Sequence, residues 1–238
     1  MKNKAWMLGI IVLTAVAACR AEENLLFSMD FEKLERGLVS NSDSNSWRDV
    51  EGKSIIKELP GVGKVLASDG VDGGERQDVV MYKNSVPFGI QDGSKIAVEF
   101  DLMVRDQYST ALLGIGSAED NLPLVIGALS ADLFARSYGG VLPAEKALDE
   151  DGMAVELPAG KWVHLRSELD LKAGTGTLEY KIGDGALKPV FFDKAQTKRE
   201  FSLGLPAAKK SSAQNWNGLY FRFSKVHGAI DNVRIIQR

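Results

Sequence analysis

A chain of 238 residues that is 45% hydrophobic and 26% charged has the balance of a globular protein, which excludes a disordered polymer and a multi-span membrane protein. Twenty-four glycines with 8% aromatics suit a turn-rich β protein and argue against a helical solenoid. Lysine and arginine number 29 against 32 acidic residues, a net charge of −3, and that removes the long-range attraction a nucleic-acid binder needs.

Lys2 and Lys4 precede an apolar run over 5–18 that only Gly9 and Thr14 interrupt. This is the charged n-region and short h-region of a secretory signal, and the run falls short of the ~20 residues of a transmembrane helix. It closes on Val16-Ala17-Ala18-Cys19, which resembles the bacterial lipobox, where small residues precede a cysteine that is acylated and becomes the mature N-terminus. Cys19 is the only cysteine. It is therefore the candidate lipid anchor, the only membrane contact expected, and intrachain disulfides are excluded. Ala15-Val16-Ala17 also fits ordinary signal cleavage, which leaves a secreted or periplasmic protein as the alternative. With 1–18 removed, 19–238 keeps 220 residues and a net charge of −5, a length for one large β domain or two small ones.

Leu25, Phe27, Met29 and Phe31 alternate with polar neighbours and predict a first strand. Residues 39–53 are too polar for a core element and predict a surface loop carrying Trp47. Shorter strands follow near 64–68 and 79–83. Val98, Phe100, Leu102 and Val104 then alternate with Ala97, Glu99, Asp101 and Met103 as a half-buried strand. The run 122–138 is more continuously apolar and reads as strands broken at Gly127, with a short helix as the alternative. Over 161–171, Val163, Leu165, Ser167 and Leu169 share one face, while Trp162, His164, Arg166, Glu168 and Asp170 share the other. A hairpin connection at 172–176 leads into a strand over 177–182. Residues 207–215 read as a polar loop, and strands over 218–224 and 229–236 close the chain. The mature chain is therefore expected to be an all-β, two-sheet antiparallel sandwich forming one domain.

Three fragments, Phe27-Ser28-Met29-Asp30-Phe31-Glu32, Gly160-Lys161-Trp162-Val163-His164-Leu165 and Gly228-Ala229-Ile230-Asp231-Asn232-Val233-Arg234-Ile235, together resemble the laminin-G-like or concanavalin-A-like jelly rolls of exported bacterial proteins. The resemblance implies a jelly-roll sandwich for 19–238. Members act as glycan binders, adhesion modules, hydrolases or lyases, so it implies architecture more than activity.

Two catalytic patterns begin and do not complete. Glu99-Phe100-Asp101 resembles the start of the Glu-x-Asp-x-x-Glu strand of laminarinase-type hydrolases, but Met103 and Val104 stand where the third carboxylate belongs. Arg166-Ser167-Glu168-Leu169 resembles the Arg-x-Glu-Leu strand of alginate-lyase-type jelly rolls, whose Gln-Ile-His and Tyr-Phe-Lys-Ala-Gly segments are missing. No zinc-binding histidine pair or nucleophile elbow appears. No catalytic residue is assigned, and a polysaccharide-degrading enzyme or a structural envelope protein remains the alternative to a binder.

Binding readings start from aromatic rings, because a pyranose face stacks on a ring while polar neighbours take its hydroxyls. Trp47 in Asn45-Ser46-Trp47-Arg48 and Trp216 in Gln214-Asn215-Trp216-Asn217 are the candidates, with Tyr138 before Gly139-Gly140 as a third. Trp162, at the start of a strong strand, reads as structural. Asp30, Glu32 and Asp231 predict a structural calcium site if the first and last strands pair. The expected protein is an exported, lipid-anchored, non-catalytic jelly-roll module for a polysaccharide, a surface glycan or another cell-surface ligand.

Overall fold

A computed structural model describes residues 24–41, 45–52, 54–68, 77–118, 124–136, 145–203, 213–224 and 228–238. In chain order the strands are β1 (Asn24–Met29), β2 (Gly37–Leu38), β3 (Trp47–Glu51), β4 (Ser54–Leu59), β5 (Gly63–Ser68), β6 (Gln77–Lys83), β7 (Lys95–Met103), β8 (Thr110–Gly116) and β9 (Leu124–Leu129). They continue as β10 (Asp132–Arg136), β11 (Glu145–Lys146), β12 (Trp162–Asp170), β13 (Thr175–Ile182), β14 (Lys188–Pro189), β15 (Glu200–Ser202), β16 (Gly218–Ser224) and β17 (Ala229–Gln237). Among the described residues there is no α-helix.

These strands form two antiparallel sheets. The first, of ten strands, runs β14-β13-β12-β7-β17-β5-β4-β2, with β1 also on β17 and β15 also on β13. The second, of seven, runs β11-β10-β9-β8-β16-β6-β3. Alternation decides which side of each strand meets the other sheet. Val98, Phe100 and Leu102 of β7, Val163, Leu165 and Leu169 of β12, and Val233 and Ile235 of β17 join Leu113, Ile126 and Phe221 of the second sheet in one buried cluster. Each such side chain contributes ~1.5–3 kcal/mol of apolar burial. The fold is the all-β, two-sheet sandwich expected from the pattern.

The expected hairpin of β12 and β13 is present, paired from Val163↔Ile182 to Asp170↔Thr175, so that Thr175 and Gly176 belong to the strand and not to the connection. First and last strands also pair, from Asn24↔Gln237 to Met29↔Val233. Two further expectations are corrected. Residues 39–53 are not a loop throughout, because Trp47 begins β3, where it pairs with Tyr82 of β6. The apolar run after Leu122 turns at Ser130-Ala131 rather than at Gly127. Both turn residues have positive φ, 51° and 62°, the geometry of a tight hairpin. Gly127 lies inside β9, where a Cβ would stand 2.2 Å from the Ala111 carbonyl oxygen, so its role is close approach of two strands.

Candidate functional site

Neither predicted tryptophan is an exposed platform. Trp47 is 3% exposed and packs against Phe31, Tyr82 and Phe221 at ring centroid distances of 6.3, 4.9 and 5.9 Å. Trp216 is 1% exposed, in the main core. Their polar sequence neighbours suggested a loop surface, but the indoles turn inward because they supply apolar area that short strands and turns lack. Trp47 retains an edge on an open cleft of about 330 Å³, beside Asp30, Lys33, Ser46 and Tyr82. Tyr138 and Cys19 lie outside the described residues.

The pairing of β1 with β17 carries Asp30 and Glu32 to a fork. There β17 exchanges β5, its neighbour at Ala229 and Ile230, for β1, its neighbour from Val233 onward. Glu32 Oε1 accepts the Lys64 backbone N–H at 2.9 Å, and Lys64 Nζ donates to the carbonyls of Glu32 and Leu34 at 2.9 and 2.8 Å. The adjacent Gly63, at φ 112°, leaves room for this carboxylate, since a Cβ there would stand 2.0 Å from Glu32 Oε1. Asp231 is 4% exposed. Burial pushes its carboxyl up to about 7; the Asn232 N–H opposes the rise, and the charges of Asp101, Glu32 and Asp30 add to it. The three residues predicted as calcium ligands therefore influence one another electrostatically. Among the described residues, however, no group of three or more His, Cys, Asp or Glu side chains is arranged to hold a metal ion. Lys64 already places a cation against the oxygens of the fork.

The outer face of the first sheet, opposite the core, gathers most of the remaining chemistry. Directly opposed residues of neighbouring strands share a face, so the register lays side chains in rows. One row is apolar: Trp162 of β12, Met103 of β7, Ala229 of β17 and Ala67 of β5. These residues form a cluster separate from the core, in which Trp162 and Met103 are only partly buried.

The next row places His164 between Lys181 and Asp101, with Asp101 opposite Asp231. His164 Nδ1 lies 2.8 Å from Asp101 Oδ1, so that nitrogen donates and the carboxylate accepts. Asp101 Oδ2 accepts from Asn232 Nδ2 at 2.8 Å. This bond depends on an irregularity in β17, where the register shifts between Asp231 and Arg234 and Asn232 adopts φ 52°. The extra residue re-aims the amide onto the face, while its N–H donates to Asp231 Oδ1 at 2.8 Å.

A third row surrounds Glu99, which is 8% exposed. Arg234 Nη1 donates to Glu99 Oε2 at 3.3 Å, Arg166 Nε lies 3.7 Å from Oε1, and Arg238 Nη2 lies 3.8 Å from it. Arg166 also donates to Glu168 at 2.5 Å. The carboxylates that resembled the start of a hydrolase motif are thus engaged, Glu99 by arginines and Asp101 by hydrogen bonds to His164 and Asn232, and the lyase-like Arg166 serves the ion pairs of Glu99. The sequence pattern had placed Trp162, His164 and Arg166 on one face. It could not show that β7 and β17 bring Met103, Asp101 and Asn232 beside them, because that depends on long-range register.

No protein-family model matches the chain, and no curated protein is similar to it. Among solved structures it is similar to lectin II from Ulex europaeus, with a TM-score of 0.52 and 12% identity over 89% of this chain and 98% of that one. It is also similar to a protein of unknown function with a galectin-like fold from Bacillus subtilis, at TM-score 0.51 and 14% identity over 90% and 96%. The carbohydrate recognition domain of Emp47p matches at TM-score 0.50 and 9% identity over 90% and 96%. At these identities the likeness is one of fold, a lectin-type jelly-roll sandwich.

Proposed function

We propose that the protein is a non-catalytic module that binds a glycan across the outer face of its ten-stranded sheet. The observation that carries this reading is the juxtaposition of a partly exposed indole, Trp162, with hydrogen-bonding groups already oriented one row away, His164, Asp101 and Asn232. An indole takes the apolar face of a pyranose, and preset polar groups take hydroxyls without first losing side-chain freedom. Similarity to a lectin solved in complex with galactose, and to a carbohydrate recognition domain, supports the class of ligand through architecture. Glu99 and Asp101, held by arginine and histidine partners, favour binding over glycoside hydrolysis, which needs one carboxyl free to protonate a leaving group. Within this architecture, the laminin-G-like fragments are read as the nearer relationship.

The test is retention on immobilised polysaccharides. Trp162→Ala and His164→Ala should each lower retention by about tenfold or more, the scale of a single hot-spot side chain, with little change in melting temperature. Undiminished retention in Trp162→Ala refutes the assigned face, and release of new reducing ends or unsaturated uronates by the wild type refutes a non-catalytic role. The signal-like N-terminus supports export, and the lipobox-like segment supports a lipid on Cys19. Cys19→Ser should abolish metabolic labelling with palmitate, and persistent label refutes the anchor.

A further inference from the structure

We infer that this face takes an internal run of an uncharged polysaccharide and discriminates against uronate and sulfated chains. The inference rests on the glycan reading above and adds the chemical class and the mode of engagement.

Charge is balanced around the arginines of this face. Glu99 is shared by Arg166, Arg234 and Arg238, and Glu168 by Arg166 and Arg238. Lys95 Nζ lies 3.3 Å from Asp170 Oδ2 at the next row. At these cations an incoming carboxylate or sulfate would therefore have to replace a carboxylate already in place. Glu99 is too deeply buried to withdraw into water, so the exchange would leave one anion without its partner, a costly outcome. A neutral hydroxyl faces no such exchange. It both donates and accepts, and guanidinium and carboxylate groups have more hydrogen-bonding positions than one ion pair uses. With Nδ1 donating to Asp101, Nε2 of His164 is an acceptor suited to that role.

The layout of the rows points to a chain interior rather than a chain end. The apolar row crosses β12, β7, β17 and β5, and the polar row crosses β13, β12, β7 and β17. With ~4.8 Å between neighbouring strands, each spans roughly 14 Å, room for several pyranose rings laid across the strands. The open cleft lined by Trp47 and Asp30 has none of these row residues in its lining, so it does not close either row into a pocket for a terminal sugar.

Affinity electrophoresis of the full mature chain tests both parts. The neutral gels contain galactomannan, xyloglucan or mixed-linkage β-glucan, the acidic gels alginate, polygalacturonate or heparin, each at about 0.05 and about 0.5 M NaCl, a range over which screening removes most exposed charge attraction. The expected result is retention in a neutral gel, changed less than about twofold by salt, lost in Trp162→Ala, and not competed by the corresponding monosaccharide. Glu168→Gln, at an exposed position, should add retention on alginate by freeing Arg166 and Arg238 from one of their two carboxylates. Salt-sensitive, Trp162-dependent retention of the wild type on an acidic gel overturns the uncharged class while leaving glycan binding at this face standing. Efficient competition by a monosaccharide overturns the internal mode. Absence of retention on every gel, or retention indifferent to Trp162→Ala, overturns the glycan reading itself.

Discussion

Asp231→Asn should make the protein more stable at neutral and alkaline pH and leave it nearly unchanged in acid. The Asp231 carboxyl is held up to about 7 against an ordinary value of 3.8, chiefly by burial. Below pH 3.8 it is protonated in both the folded and unfolded chain, and no difference arises. Between 3.8 and about 7 the unfolded chain releases the proton that the folded chain keeps, so stability falls as pH rises; above about 7 the loss levels off. A gap of about three pH units at 1.36 kcal/mol each gives a penalty of about 4 kcal/mol. An amide has the shape of the protonated acid, its oxygen can still accept the Asn232 N–H, and its NH₂ can face the surrounding carboxylates. The assay is urea unfolding of wild type and variant at about pH 3.5, 5.5 and 8.5, followed by fluorescence of the buried tryptophans. The difference should grow from within about 1 kcal/mol to about 4 kcal/mol across that series. A variant less stable than wild type at the highest pH, or a difference that does not change with pH, refutes the assignment of a buried, proton-holding acid.

Three further outcomes follow from the same structure. Gly63→Ala places a methyl group 2.0 Å from Glu32 Oε1 at a φ of 112° and should cost roughly 1–3 kcal/mol in chemical denaturation, with part recovered in the Gly63→Ala, Glu32→Ala double variant; full stability in the single variant removes the packing argument. Trp216→Ala should lose about 3–5 kcal/mol and lower the melting temperature by about 10 °C, whereas a tryptophan acting only at the surface would leave it unchanged. Millimolar CaCl₂ and EDTA should give the same melting temperature, because Lys64 Nζ already serves the Glu32 and Leu34 carbonyls, while Lys64→Met should cost roughly 2–4 kcal/mol. Calcium-dependent stabilisation of the wild type would restore the predicted role of Asp30, Glu32 and Asp231 as ligands.

Short-range pattern was enough wherever alternation ran unbroken. Residues 95–103 and 162–182 show inside and outside at a period of two, and their strands and faces follow from it. Reading failed where polar neighbours surrounded a large ring. Asn45-Ser46-Trp47 and Asn215-Trp216-Asn217 have loop composition, yet both indoles fill the core because the size of the ring outweighs the polarity of the residues beside it. Ser130-Ala131 turns the chain without glycine or asparagine, so no turn signal marked it. Of the site, Trp162, His164 and Arg166 were legible as one face of one strand. Met103, Asp101 and Asn232 were not, since their positions depend on β7 lying between β12 and β17, and on one irregular residue in β17.

The antiparallel alignment of β1, β17, β7 and β12 also fixes a polarity for the whole body. Asn24 starts β1 at the edge where Gln237, Ile96 and Leu169 meet, and Trp162 with Met103 marks the opposite edge. Seven steps along β7, from Ile96 to Met103, at ~3.4 Å put these edges about 24 Å apart. On the proposed acylation of Cys19, the five peptide steps to Asn24 reach at most ~18 Å, a leash shorter than the body it restrains. Such a leash would keep the Asn24 edge near the lipid headgroups and present the indole at the outermost edge, where a polymer in the surrounding medium can settle on it without first meeting the bilayer.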